Sequence, residues 1–296
     1  MSWTAMTLEE ICSLKTGKLD SNAAVPNGQF PFFTCAQETF RINKVAFDTE
    51  AVLLGGNNAA GVYPLKYFNG EFNAYQRTYV IESIDKNILS IRFLYYSLQQ
   101  SLTHFQSVSI GAATQYLTKS ILNNFKVLLP PIKIQESIVN TLSTYDDLIE
   151  NNRRRMTLLE DSARLLYNEW FVRLRFPGYE HTRIVDGVPE GWKQETLGNL
   201  CREIRELVLP ETLEQDTPYI GLEHIPRRSI ALNDWGKVEQ VTSSKSRFRA
   251  GEILFGKIRP YFHKVGVAFV DGVASSDAIV IRPVDKRLHG LVLIVP

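Results

Sequence analysis

The sequence predicts an α+β protein in which two copies of one mixed α/β domain are joined by a long coiled-coil helix. Three observations predict it: an internal repeat, an unbroken heptad period between the copies, and Pro and Gly punctuation at both ends of that period. The repeat is plainest at its start, where Trp3, Thr7, Leu8 and Cys12 return in register as Trp192, Thr196, Leu197 and Cys201. It resumes at Val52-Leu53-Leu54-Gly55 against Ile253-Leu254-Phe255-Gly256, and at residues 74–81 against 274–281.

Within the first copy, Thr7 and Glu10 have capping-box spacing ahead of a short helix. Ala51 to Leu54 and Thr78 to Ile81 are short apolar runs of buried-strand type. Ser90 is an N-cap for a helix carrying Ile91, Leu94, Tyr95, Leu98 and Leu102 at helical spacing. Phe125 to Leu129 reads as a closing strand stopped by Pro130-Pro131. These signals bound a first domain at 1–134, a helix at 135–172, a linker at 173–190 and a second domain at 191–296.

Residues 135–171 contain neither Pro nor Gly. Ile138, Leu142, Tyr145, Ile149, Asn152, Met156, Leu159, Ala163, Leu166 and Trp170 follow alternating steps of four and three, which is a coiled-coil seam. At about 1.5 Å per residue this makes a rod of about 55 Å, the axial length of roughly 16 base pairs. Asn152 is the kind of polar seam residue that fixes register. Phe176-Pro177-Gly178 ends the rod.

Composition narrows the function classes. The chain has 33 Lys and Arg against 32 Asp and Glu, a net charge of +1 that by itself does not advertise nucleic-acid binding. Charge is concentrated locally, however. Residues 244–264 hold Lys245, Arg247, Arg249, Lys257, Arg259 and Lys264 against the single acid Glu252, interleaved with aromatics. The three cysteines, Cys12, Cys35 and Cys201, form no metal-ligand spacing and read as reduced core residues. No apolar run is long enough to span a bilayer, and the N-terminus lacks the charged and apolar segments of a signal peptide, so a cytoplasmic location is expected.

Residues 128–139 (LLPPIKIQESIV), 146–154 (DDLIENNRR), Leu159-Glu160 and Glu169-Trp170-Phe171-Val172 form an ordered series that resembles the central conserved region of type I restriction-modification specificity subunits. The flanking repeat resembles that family's two target-recognition domains, including the Gly111-Ala112-Ala113-Thr114-Gln115 turn. The resemblance implies a non-catalytic, DNA-binding subunit that reads a bipartite double-stranded DNA target. Its long helix would serve as ruler and docking site for two methyltransferase subunits. It further implies that S-adenosylmethionine is bound by those partners, and that ATP and Mg are used by partner restriction subunits.

The second copy departs from the family pattern. It shows no sequence counterpart of residues 90–102, of 111–115 or of a second long helix, and the uncharged tail 291–296 reads as a frameshifted or foreign end. The expectation is a specificity subunit truncated in its second recognition domain, whose seam pairs in trans as a homodimer.

Candidate DNA contacts follow the repeated strand in each copy: Asn57 and Asn58 in the first, Lys257, Arg259 and Tyr261 in the second. Gln76, Arg77, Thr114 and Gln115 are added from neighbouring turns. Amide side chains suit adenine, Arg suits guanine, and Lys suits phosphate. Residues of these types are more often turn formers or solvated surface groups than base contacts. No residue set supplies catalysis or a metal site: Leu129-Pro130-Pro131-Ile132 lacks the Asn or Asp and the aromatic of an adenine methyltransferase motif, and no phosphate loop follows Gly55-Gly56. Three other readings compete: a nuclease built on Glu252 and Lys257 or on Asp271 and Asp277, a half-length recognition and scaffold subunit of a related methyltransferase system acting as a homodimer, and a coiled-coil adaptor without a DNA role.

Overall fold

In the computed structural model, which describes residues 3–58, 61–111, 114–238 and 243–294, the chain divides into two compact units, Met1–Ile149 and Glu150–Pro296. Ala112 and Ala113 of the expected turn, and Val295 and Pro296 of the tail, lie outside the described residues.

The first unit is organised by the run Ala51-Val52-Leu53-Leu54. Its residues alternate between two apolar layers, so the strand is buried on both faces and shows no polar alternation. Val52 and Leu54 join Leu8, Ile81 and Leu94 on one side, whereas Ala51 and Leu53 join Phe33, Phe72 and Val80 on the other. The elements in order are β1 (Thr4–Thr7), α1 (Leu8–Ile11), β2 (Cys12–Thr16), β3 (Phe30–Phe33), β4 (Phe40–Ile42), β5 (Phe47–Gly55), β6 (Asn57–Asn58), β7 (Leu65–Ala74) and β8 (Thr78–Ser83). They are followed by α2 (Ile91–Gln100), α3 (Leu102–Val108), β9 (Gln115–Tyr116), α4 (Lys119–Asn123) and β10 (Lys126–Leu129). Six strands form one sheet in the order β2-β8-β5-β7-β3-β4, and β1 pairs with β10. The Thr7–Glu10 capping box is present, and Ser90 Oγ accepts from Phe93 N at the start of α2.

The long helix α5 (Ile132–Tyr167) continues through a π turn at Asn168–Val172, and the unit boundary falls inside it. It is fixed to the first unit by Gln135, whose side chain is fully buried. Gln135 Oε1 accepts from Ser90 N at 3.0 Å, and Nε2 donates to the carbonyls of Ile88 and Pro130, both at 2.9 Å. Three turns later Tyr96 Oη donates to Asp146 Oδ2 at 2.6 Å.

The second unit contains β11 (Ile184–Val185), β12 (Val188–Pro189), α6 (Leu197–Leu200), β13 (Cys201–Ile204), β14 (Leu207–Val208), β15 (Pro218–Ile220), β16 (Ala231–Leu232) and β17 (Gly236–Lys237). After these come β18 (Lys245–Phe248), β19 (Ile253–Gly256), β20 (Val265–Ala268), β21 (Gly272–Ala274), β22 (Ala278–Pro283) and α7 (His289–Ile294). Its sheets have the orders β13-β22-β19-β20-β16 and β14-β18-β21-β15-β17.

The repeat is reproduced in matched backbone pairs. Val52↔Ile81 and Gly55↔Thr78 in the first unit answer to Ile253↔Ile281 and Gly256↔Ala278 in the second. Gly56 N→Arg77 O at 2.8 Å matches Lys257 N→Asp277 O at 3.0 Å, and Gly55 N→Pro64 O matches Gly256 N→Lys264 O, both at 2.9 Å. The difference lies in length. Where β5 and β7 run unbroken, the second unit breaks both partners, at Arg249-Ala250-Gly251-Glu252 and at Phe269-Val270-Asp271. There Gly251 has φ +88° and Ala250 N donates to Asp271 Oδ1 at 2.8 Å. One long ribbon therefore becomes two short ones.

The tail corrects the sequence reading. Asp85 Oδ1 accepts from Asn87 N and its carbonyl accepts from Ile88 N, and Asp285 does the same for Arg287 N and Leu288 N. The helix that follows, α7, buries Val292 and Leu293 against Cys201 and Ile253, the counterparts of Cys12 and Val52 under α2. The tail's described residues are thus the counterpart of the start of α2, disguised in sequence because Gly290 and the missing Ser cap weaken the helix signal.

Candidate nucleic-acid interface

In the first unit, the end of β5 is forced into a close approach with the β7–β8 turn. A Cβ on Gly56 would stand 2.7 Å from Arg77 O and 2.8 Å from the Tyr79 ring, so only glycine fits. The chain then pairs as β6 with β9, Asn57 opposite Tyr116 and Asn58 opposite Gln115, while Leu117 N donates to Gly56 O at 2.8 Å. The outcome is an open concavity of about 400 Å³ lined by Thr16, Gly56, Asn57, Gln76, Arg77, Tyr79, Tyr116 and Leu117.

Three of the sequence candidates, Asn57, Gln76 and Arg77, line this concavity. Asn58 and Gln115 face each other in the adjoining strand pair, with Gln115 Oε1 accepting from Ser109 Oγ at 3.2 Å, and Thr114 is exposed next to it. Gln76 and Arg77 are exposed, whereas Asn57 is half-buried and its Oδ1 has no hydrogen-bond partner among the described residues. Tyr79 Oη donates to Leu117 O at 2.9 Å, and burial pushes its pKa up. Tyr79, Tyr116 and Thr16 carried no sequence signal of a site, because their placement depends on long-range pairing.

In the second unit, Lys257, Arg259 and Tyr261 stand exposed on the hairpin between β19 and β20. The basic segment around them is not one face, however. Strand alternation turns Lys245 inward, where Nζ donates to Ser243 O at 2.8 Å, and Arg247 pairs with Glu206 at 3.2 Å. Lys264 Nζ is taken up by Leu222 O, and Glu252 is buried against Arg282. The outward cations are Arg249, Lys257 and Arg259, joined by two that the sequence reading passed over, Arg227 and Arg228. The Arg227 guanidinium lies 3.9 Å from the centroid of the Phe262 ring.

Of the seam residues, Ile138 is half-buried against the first unit's core and Ala163 is half-buried. Leu142, Tyr145, Ile149, Asn152, Met156, Leu159, Leu166 and Trp170 are exposed, and every residue from 144 to 159 is exposed. Trp170 lies in the π turn, where the wider winding shifts it out of heptad phase. Beyond residue 159 the helix is tied to the second unit: Glu160 Oε1 accepts from Ser229 Oγ and Ile230 N at 3.0 Å, and Arg164 donates to Arg228 O at 2.6 Å. Among the described residues no group of three or more His, Cys, Asp or Glu could hold a metal ion, and no helix is long and apolar enough to cross a membrane.

Comparison with known proteins gives a consistent picture. The family model described as type I restriction modification DNA specificity domain matches residues 1–161. The EcoDI type I restriction enzyme specificity subunit of Escherichia coli is 31% identical over 313 aligned residues, covering 97% of this chain and 68% of that protein. The MpnII specificity subunit of Mycoplasma pneumoniae is 29% identical over 147 residues, 48% of this chain and 43% of that protein. In fold, the chain is similar to the crystal structure of a type I restriction-modification S subunit from M. genitalium, with a TM-score of 0.57 at 18% identity, over 97% of this chain and 74% of that one.

Proposed function

Because the chain belongs to the type I restriction-modification DNA-specificity family, we propose that it reads a bipartite double-stranded DNA target, one half with each unit. The observation that carries this reading is that both units present polar or basic side chains from the same backbone position, the hairpin that follows Gly55 in one and Gly256 in the other. Phosphate contacts from Lys257 and Arg249 would orient the duplex, and amide or guanidinium groups would read base edges. The chain itself is non-catalytic in this reading and acts in the cytoplasm. Two methyltransferase subunits dock along α5, bind S-adenosylmethionine and methylate adenine, and restriction subunits use ATP and Mg.

A second arrangement is favoured by the exposed apolar positions Tyr145, Ile149, Met156 and Leu159 on α5. In it the chain is a recognition and scaffold subunit that works as a homodimer, its seam covered by the same helix of a second copy. Both arrangements are tested by mixing the chain with the methyltransferase encoded beside it and S-adenosylmethionine, then mapping methylated adenines across a genome. A split asymmetric motif that disappears without this chain supports reading by both units, and a two-fold symmetric motif supports the homodimer. Methylation that is indifferent to this chain rejects the specificity role.

A further inference from the structure

The hairpin between β19 and β20 concentrates backbone strain on side chains the fold does not use. Of the six non-glycine residues with positive φ among those described, three meet here: Arg228 (+56°), Arg259 (+51°) and His263 (+48°). The left-handed region is costly for residues with a Cβ, and Arg lacks the short local hydrogen bonding that eases Asn or Asp into it. None of the three side chains makes a hydrogen bond or ion pair among the described residues, and Arg259 and His263 are exposed.

Strain of this kind persists only where the surroundings over-determine it, and here they do. Phe262 N donates to Arg259 O at 3.0 Å and His263 N to Pro260 O at 2.9 Å, which closes a single turn between the two strained residues. Arg228 N donates to His263 O at 3.2 Å, and Arg228 O is held by Arg164 of α5. Arg227 stacks on Phe262, and the hairpin's base is closed by Gly256 N→Lys264 O and Lys257 N→Asp277 O. A rigid frame thus projects an unpartnered guanidinium at the position that Asn58 occupies in the first unit.

We infer that Arg259 is a specificity-determining residue that reads guanine in the second half of the target. Its guanidinium donates two hydrogen bonds to the O6 and N7 edge in the major groove. This rests on the DNA-specificity reading above and adds a base and an atom pair to it. The first unit offers amides at the matching place, so its half-site is read by different chemistry. A fixed fork of two donors fits the paired acceptors of guanine; it fits a phosphate too, and only a guanine contact makes binding sensitive to the base and to its N7 atom. Preorganisation of the turn removes the backbone part of the ordering cost on binding.

The test uses the full chain with its partner methyltransferase. Selection from randomised duplexes should return a guanine in the second half-site, and placing 7-deazaguanine there should weaken binding about ten- to a hundredfold. R259K keeps the charge but should weaken the guanine preference, because an ammonium lacks the planar fork. R259G should lose it, become indifferent to 7-deazaguanine, and melt at a higher temperature because glycine accepts the left-handed backbone. Selection at the first half-site should be unchanged in both variants. Unaltered selectivity in R259G, or indifference of the unaltered chain to 7-deazaguanine, overturns the assignment, as does a selected second half without guanine. If the unaltered chain selects no sequence at all, the specificity reading fails and this inference with it.

Discussion

Gln135 shows how much one side chain can settle. It is buried, and all three of its hydrogen bonds go to backbone groups of the first unit, at Ser90, Ile88 and Pro130. Gln135→Leu would keep the volume but leave an N–H and two carbonyls without partners inside the protein. Such groups are expensive, so the variant should lose about 3 kcal/mol of stability in urea denaturation; a loss below about 1 kcal/mol would show that water replaces the amide. Nothing in the local sequence marks Gln135 as different from the exposed Glu136 beside it. Gly56 was legible in part: a Gly-Gly-Asn-Asn string after an apolar run announces a tight turn, but Asn57 and Asn58 continue as strand β6 beyond the close approach at Gly56. Cys12 is a buried residue whose thiol is pushed up to about 12 by desolvation. It should resist alkylation at pH 8 until the protein is unfolded, and rapid native-state labelling of Cys12, read by mass spectrometry, would contradict this burial.

At the scale of elements, α5 was the most legible feature, since a sustained heptad without Pro or Gly has few other outcomes. What periodicity could not reveal is which turns of the helix are covered. Exposed apolar residues between 144 and 159 can be changed at little cost to the fold, so Ile149→Glu with Met156→Glu should leave the circular dichroism spectrum nearly unchanged. If the seam is an interface, the same pair should abolish association in analytical ultracentrifugation; undiminished association would place the contact elsewhere.

The anchor at Tyr96 is testable by pH. Burial, followed by the hydrogen bond to Asp146, raises Tyr96 to about 12, and burial with Glu50 does the same for Tyr67. The neutral phenol is the favoured folded form. This stabilisation is complete below the ordinary tyrosine range near pH 10 and is lost as pH rises towards 12. Stability of the first unit should therefore fall between those limits, and Tyr96→Phe should shallow the fall; an unchanged slope would mean that Tyr96 contributes nothing to it. The inward turn of Lys245 and the breaks in the second unit's strands were hidden for a shared reason. Strand phase and strand interruption are decided by partners more than 20 residues away, such as Asp271 for Ala250.

For the molecule as a whole, duplication was legible from four identities in ten residues, but its extent was not. The sequences of α7 and α2 have little in common, and the relationship is declared by the matched turns at Asp85 and Asp285 and by the matched residues beneath, Cys12 and Val52 against Cys201 and Ile253. Each unit has its own buried clusters, those of Leu54 and Phe72 in the first and of Leu254 and Ile253 in the second. Calorimetry should accordingly resolve two transitions, and a single two-state endotherm would show that the units melt together.

The matched hydrogen bonds around Gly56 and Lys257 also bear on how such a protein can change over generations. The bonds that repeat around these two residues run from one main chain to another, whereas the side chains at the same places have diverged from Gly to Lys, from Asn to Arg and from Arg to Asp. On the function proposed above, a substitution at an exposed hairpin position such as Arg259 would alter what is recognised while these main-chain bonds stay in place. Selection can rewrite the recognised word one letter at a time while the grammar stays inherited.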